Sequence, residues 1–188
     1  MNRVAKEYLL FLARSTIAGE LGIKWSGYND KPTQRPDEPE LDEKKGTFVT
    51  LTINDELRGC IGQILPDDVV QDTIKENALS AGFYDSRFNP LTKAEFDEIK
   101  IEISILSRPE EFKYNTVQEL LDHLQPGVHG LIIKLGGRSA TFLPQVWDDL
   151  PKKEDFLGHL CLKAGLDFLS WKNLKLQIHT YTVEHFQE

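Results

Sequence analysis

The sequence predicts an α+β fold made of two β-β-α-β units, and three observations carry that prediction. Runs such as Val49, Leu51 and Ile53, set between Thr50 and Thr52, alternate at the two-residue period of a half-buried strand. Other runs place apolar residues three and four apart behind capping residues, as amphipathic helices do. The same order of elements also occurs twice. Both copies pass through Leu-Pro, at Leu65-Pro66 and Leu143-Pro144, and both helices finish in Ala-Gly, at Ala81-Gly82 and Ala164-Gly165. Two copies with so long a period do not make a solenoid, whereas hairpins followed by helices suit the α+β class.

The elements follow in order. Val4, Tyr8, Phe11, Leu12 and Ile17 share a helical stripe that ends near Gly19 and Gly22. From about 24 to 45 the chain turns polar, with Pro32, Pro36 and Pro39 among acids, so a long surface loop is expected there, either a mobile lid or a solvated insertion. The first repeat unit spans about 46 to 107. It has the strand at Val49, turn chemistry at Asn54-Asp55-Glu56, a second strand LRGCIGQI, and a helix opened by Pro66-Asp67-Asp68 with Val70, Thr73, Ile74, Ala78 and Ala81 inward. Thr92 with Glu95 forms a capping box, and Ile99, Ile101, Ile103 and Ile105 alternate as the closing strand. Thr116 and Glu119 cap a connecting helix. The second unit, about 129 to 183, repeats the pattern: Leu131, Ile133 and Leu135, a Gly136-Gly137 hairpin, RSATFL, a helix carrying Leu157, Leu160 and Ala164, and alternation at Leu174, Leu176 and Ile178.

Composition narrows the function classes. A 188-residue chain that is 40% hydrophobic needs no covalent staples, since a chain of this size buries roughly 70% of its unfolded surface. Its two cysteines, Cys60 and Cys161, make neither a disulfide framework nor a paired metal motif, which points to a reducing compartment. Lys6, Glu7 and Arg14 interrupt the first apolar stretch, so neither a signal peptide nor a membrane span is expected and the protein reads as cytoplasmic. The net charge of −8 disfavours a nucleic-acid surface. His123, His129, His159, His179 and His185 show no ligand-pair spacing, so no metal is expected. With no P-loop, no GxGxxG after a strand and no GxSxG elbow, no cofactor is expected either.

The segment Leu57 to Gly62, LRGCIG, concentrates the chemistry. Strand alternation places Arg58 and Cys60 on one face and Leu57 and Ile61 on the other. A guanidinium beside a thiol favours the thiolate, so Arg58 would activate Cys60 or hold an anion next to it. Gly59 and Gly62 would let a ligand or another backbone approach closely. The same residues also read as packing, with Cys60 a small core thiol and the glycines marking a bulge. Cys161, at helical spacing among leucines, is expected to be an inert core thiol. In YDSRFNPL, Asp85 and Arg87 either pair across a tight turn or present Arg87 to the pocket of Arg58. Arg138 holds the corresponding place in the second copy, facing either a central cleft or solvent.

LRGCIG, then a D-x-RF-x-PL segment, then GGRSATFLPQVW, resembles the AMMECR domain family over nearly the whole chain, as a single domain from 1 to 188. The resemblance implies an AMMECR-like α+β fold with duplicated units, a larger and a smaller lobe, and a cleft near the hexapeptide. It implies an association with a Memo-like or a radical SAM protein, and it carries no assigned reaction. The motif positions are Leu57, Arg58, Gly59, Cys60, Ile61 and Gly62, then Asp85, Arg87 and Phe88, then Arg138, Thr141 and Pro144. Two functions compete. One is an enzyme or enzyme component in which Cys60 and Arg58 are catalytic and Gly59, Gly62, Asp85, Arg87, Arg138 and Thr141 bind a small anionic or carbonyl-bearing substrate. The other is a non-catalytic module that binds a protein partner, a nucleotide or a nucleic acid.

Overall fold

The computed structural model describes residues 1–27 and 33–188. The chain divides into two compact units, Met1–Ile105 with Glu184–Glu188, and Leu106–Val183, each built around its own apolar cluster. No helix among the described residues is long and apolar enough to cross a membrane.

The first unit opens with helix α1, Arg3–Glu20, whose N-cap Asn2 accepts the Ala5 amide at 2.9 Å. Its innermost line is Ala5, Leu9, Ala13 and Ile17, all fully buried. Val4, on the expected stripe, is exposed because that stripe is rotated by one residue. Gly22, at φ +64°, closes the helix end. Of the loop expected at 24–45, residues 28–32 lie outside the described residues. The remainder is anchored: a short 3-10 turn, Pro39–Asp42, buries Leu41 completely, and the Glu43 carbonyl accepts the Val70 amide at 2.9 Å.

Strands β1, Thr47–Ile53, and β2, Glu56–Gln63, form an antiparallel hairpin. Asn54 and Asp55 both take positive φ, the backbone that a two-residue hairpin turn demands. Helix α2, Val70–Leu79, begins four residues after Pro66 and continues as a π-type turn, Ser80–Tyr84. Ile74 and Ala78 of α2, Val49 and Leu51 of β1, and Ile101 and Ile103 of strand β3, Lys100–Leu106, are fully buried in one core. Only half of the box at Thr92 and Glu95 forms: the Glu95 carboxylate accepts the Thr92 amide, whereas the Glu95 amide donates to the Thr92 carbonyl rather than to its hydroxyl, and the segment is a run of turns rather than a helix.

In the second unit, β4, Glu110–Phe112, precedes α3, Val117–His123, which is N-capped by the Thr116 hydroxyl at 3.1 Å. The Gly136-Gly137 hairpin joins β5, Gly130–Leu135, to β6, Arg138–Phe142. A short helix α4, Val146–Asp149, leads to α5, Lys153–Lys163, which ends in a left-handed Gly165. There the Leu166 amide reaches back to the Cys161 carbonyl, as in a Schellman cap. Trp147 stacks on Phe156 at 3.7 Å in a core that also holds Leu157, Leu160 and Cys161, all three fully buried. Strand β7, Gln177–Tyr181, starts later than the alternation suggested, because the short helix α6, Ser170–Asn173, leaves Leu174 exposed and only Leu176 turns inward.

This unit's sheet runs β4-β7-β5-β6, and the chain closes with β8, Val183–Gln187, giving the first sheet the order β2-β1-β3-β8. In both sheets the first hairpin strand lies between its hairpin mate and the strand that follows the helices, as β2-β1-β3 and β6-β5-β7. Where the chain enters and leaves the second unit, the Ser107 amide donates to the Thr182 carbonyl at 2.9 Å and the Thr182 amide to the Ser107 hydroxyl at 3.0 Å.

Candidate functional site

Strand β2 is the outer strand of its sheet, and its register is broken once. Leu51 pairs with Gly59 while Thr52 pairs with Leu57, so Arg58 is the extra residue of a β-bulge. A bulge inverts the alternation on one side of itself. Ile61, opposite Val49, therefore packs on the core, whereas Leu57, opposite Thr52, is exposed. The expected sharing of a face by Leu57 and Ile61 is thereby corrected. Cys60 lies opposite Thr50 on the face away from the core, half-buried, with Sγ 3.2 Å from Thr50 Oγ1.

Both glycines of the hexapeptide occupy places where no Cβ fits. One built on Gly59 would lie 2.1 Å from the Ala81 carbonyl oxygen in the π-type turn. One on Gly62 would lie 2.3 Å from the Thr47 carbonyl and 2.4 Å from the Phe48 ring. The close neighbours are thus backbone and an aromatic ring of the protein itself.

The bulge directs Arg58 away from the thiol. Its Nε donates to Glu95 Oε1 at 2.7 Å, and Nη2 donates to Glu95 Oε2 at 3.3 Å and to the Asn89 carbonyl at 2.9 Å. Nη1 is buried with no partner among the described residues. Glu95 also accepts the Thr92 amide at 2.8 Å and the Thr92 hydroxyl at 2.7 Å. The Arg58 hydrogen bond, helped by Thr92 and opposed by burial, holds the Glu95 carboxyl down at about 2.

Asp85 and Arg87 do pair, and the pair grips the edge of β2. Arg87 donates to both oxygens of Asp85, at 2.9 and 2.7 Å. Asp85 Oδ2 accepts the Cys60 amide at 3.0 Å while Arg87 Nη2 donates to the Cys60 carbonyl at 3.3 Å. Two side chains therefore supply what a further strand would supply. The Arg87 hydrogen bond and the Cys60 amide hold the buried Asp85 carboxyl well below the usual carboxylate range, against its desolvation. Arg87 is also half-exposed and lines a depression of about 530 Å³ together with Arg58, Phe88, Asn89 and Glu95. The Arg58 and Arg87 guanidinium carbons lie 5.9 and 5.4 Å from the centre of the Phe88 ring.

Arg138 and Thr141 belong to the second unit. Arg138 Nη1 donates to the Gly165 carbonyl at the end of α5, and Thr141 Oγ1 donates to the Leu131 carbonyl at 2.8 Å and meets the Tyr181 hydroxyl at 2.9 Å. Burial pushes the Tyr181 phenol up to about 12. Among the described residues no group of three or more histidines, cysteines and acids is placed to hold a metal ion. Glu95, Asn89 and Thr50 are the site residues that sequence reasoning did not attach to LRGCIG. Glu95 had a local signal, the capping box, but none for a partner 37 residues away.

A family model described as AMMECR1 matches residues 10–186. A protein of Methanopyrus kandleri is 38% identical, the alignment covering 97% of this chain and 87% of the relative. A protein of Aquifex aeolicus is 36% identical over 87% of this chain and 86% of its own length. The solved structure of an uncharacterized protein from Pyrococcus horikoshii superimposes with a TM-score of 0.79 at 32% identity, covering 100% of this chain and 93% of that one.

Proposed function

Since this chain belongs to the AMMECR1 family, we propose that it is a recognition module whose first unit receives a small carboxylate- or carbonyl-bearing molecule in the depression beside Arg58, Phe88 and Arg87. The observation that carries this reading is the Arg58 guanidinium. Two of its nitrogens are committed, the third is buried with no acceptor among the described residues, and Arg58 lines the depression together with the half-exposed Arg87. An unmet buried donor costs roughly 1–3 kcal/mol, which an incoming oxygen acceptor would offset. Arg58 is balanced by Glu95 and Arg87 by Asp85, so a single oxyanion or a carbonyl suits the depression better than a multiply charged group.

Catalysis by Cys60 has less support. Within the first unit no imidazole stands beside the thiol among the described residues: its only histidine, His185, lies on β8, three strand spacings from β2, or about 14 Å. Asp85, which does touch Cys60, is held ionised and is a weak base. The Memo-like and radical SAM proteins implied as partners by the resemblance suit a module that carries or senses a ligand for them. Two free cysteines support a cytoplasmic setting. The recurrence of β2-β1-β3 as β6-β5-β7 supports duplication of one ancestral unit.

The test follows the Arg58 Nε–H signal in 15N spectra during titration with acetate and, separately, acetamide. Saturable shifts that Arg87→Ala weakens and Cys60→Ser leaves in place are expected. The opposite ranking, with Cys60 alkylated by iodoacetamide faster than a free thiol of pKa about 8.5, overturns the module in favour of a thiol enzyme.

A further inference from the structure

The second unit has a groove of different chemistry. It lies between the segment that leaves β4 and the segment that joins α6 to β7. A larger part, about 480 Å³, has Phe112, Lys113, Tyr114 and Lys175 in its wall. A smaller recess of about 210 Å³ shares Tyr114, Asn115 and Lys175 with it and adds Trp171 and Lys172. The combined volume is in the range of small-molecule sites.

Its charged side chains are mostly cationic, beside neutral amides at Asn115, Asn173 and Gln177 that can donate or accept. Lys113, Lys172 and Lys175 are exposed along it, with Lys172 Nζ 4.9 Å from the centre of the Trp171 ring. Trp171 is 1% exposed, and its indole Nε1 is buried with no acceptor among the described residues. Tyr114, 8% exposed, uses its hydroxyl oxygen to accept the Leu176 amide at 3.2 Å, and no protein acceptor takes its own hydroxyl hydrogen among the described residues. Burial pushes the Tyr114 phenol up, so it stays a donor. The one acid along either part, Glu111, lines the larger groove only.

A buried indole N–H with no acceptor is costly to keep, and a buried hydroxyl that accepts a hydrogen bond without donating one adds to the cost. Three ammonium groups together repel one another unless an anion lies between them. On a chain of net charge −8, a local excess of two positive charges lined by unmet donors is a departure from the rest of the surface. We propose that this groove binds a small polyanion, a molecule with two or more negative charges on phosphate or carboxylate oxygens, with its body against Tyr114 and Trp171. Its chemistry differs from that of the balanced Arg58 depression, and it stands independently of that reading.

The chain has three tryptophans, which makes the test direct. Trp147 Nε1 donates to the His129 carbonyl at 2.7 Å, and Trp25 belongs to the first unit. The three indole N–H signals in a 15N spectrum, assigned by loss of one each in Trp25→Phe and Trp147→Phe, are followed while inorganic tripolyphosphate or citrate is added to the full chain. The Trp171 signal is expected to move and saturate while the other two stay. Lys172→Ala with Lys175→Ala, both at exposed positions, should keep the indole pattern of the folded chain and weaken binding by about tenfold or more. A response to tripolyphosphate alone assigns phosphate chemistry, and one to citrate alone assigns carboxylates. The proposal is overturned if neither probe gives a saturable Trp171 shift, if all three indoles drift together, or if the double variant binds as the parent does.

Discussion

At the scale of single residues, LRGCIG is a set of packing constraints surrounding a small number of polar commitments. Gly59 and Gly62 face atoms that cannot retreat, the Ala81 and Thr47 carbonyls. Gly59→Ala should therefore destabilise the chain by about 2–3 kcal/mol, read as a lower urea midpoint with unchanged slope, and Gly62→Ala should behave alike. Glu95 supplies a pH signature. Its carboxyl is held near 2 in the folded chain against an ordinary value near 4.5, so its contribution is fully present above that ordinary value and is lost as pH falls through the folded one. Between those limits the parent should lose more stability than Glu95→Gln does, measured by denaturant unfolding at stepped pH. Equal losses in the two proteins would show that the Arg58–Glu95 bond adds nothing.

At the scale of elements, the unusual object is the outer edge of β2. Open edges invite pairing with other chains, and here the Asp85–Arg87 pair occupies the amide and carbonyl of Cys60. Asp85→Ala should cost about 2 kcal/mol and speed hydrogen exchange at the Cys60 amide, while amides of β3 in the sheet interior keep their protection. Unchanged exchange at Cys60 would mean the pair is ornamental. The strands themselves were legible because Val49, Leu51, Ile101 and Ile103 alternate into the core. The bulge at Arg58 was not, since an extra residue in a ladder depends on how the partner strand is paired and leaves no mark in composition. That one hidden residue redirected the site: simple alternation set Arg58 beside Cys60, whereas the bulge sends it to Glu95. In the segment expected as a long loop, about 24 to 45, the described residues are irregular apart from the turn Pro39–Asp42. Pro36 and Pro39 keep longer helix or strand out of its described part, and Leu41 anchors that part through tertiary contact, which local pattern does not express.

At the scale of the whole molecule, each unit has its own core, and the second is a continuous stretch, Leu106–Val183, set within the first. Expressed alone, this stretch should keep the near-ultraviolet circular dichroism of Trp147 and Trp171 and unfold cooperatively in urea. A flat near-ultraviolet spectrum would show that its core needs the rest of the chain. The α+β class was readable because both hairpins carry strong turn residues, Asn54-Asp55 and Gly136-Gly137. The backbone clasp between Ser107 and Thr182 has an evolutionary implication. Because the two ends of the inserted stretch touch, that stretch can be lost, exchanged or transplanted as a cassette without stretching the strands that flank it. A host sheet would need only a short tie across the cut, so the two units are free to change on separate histories.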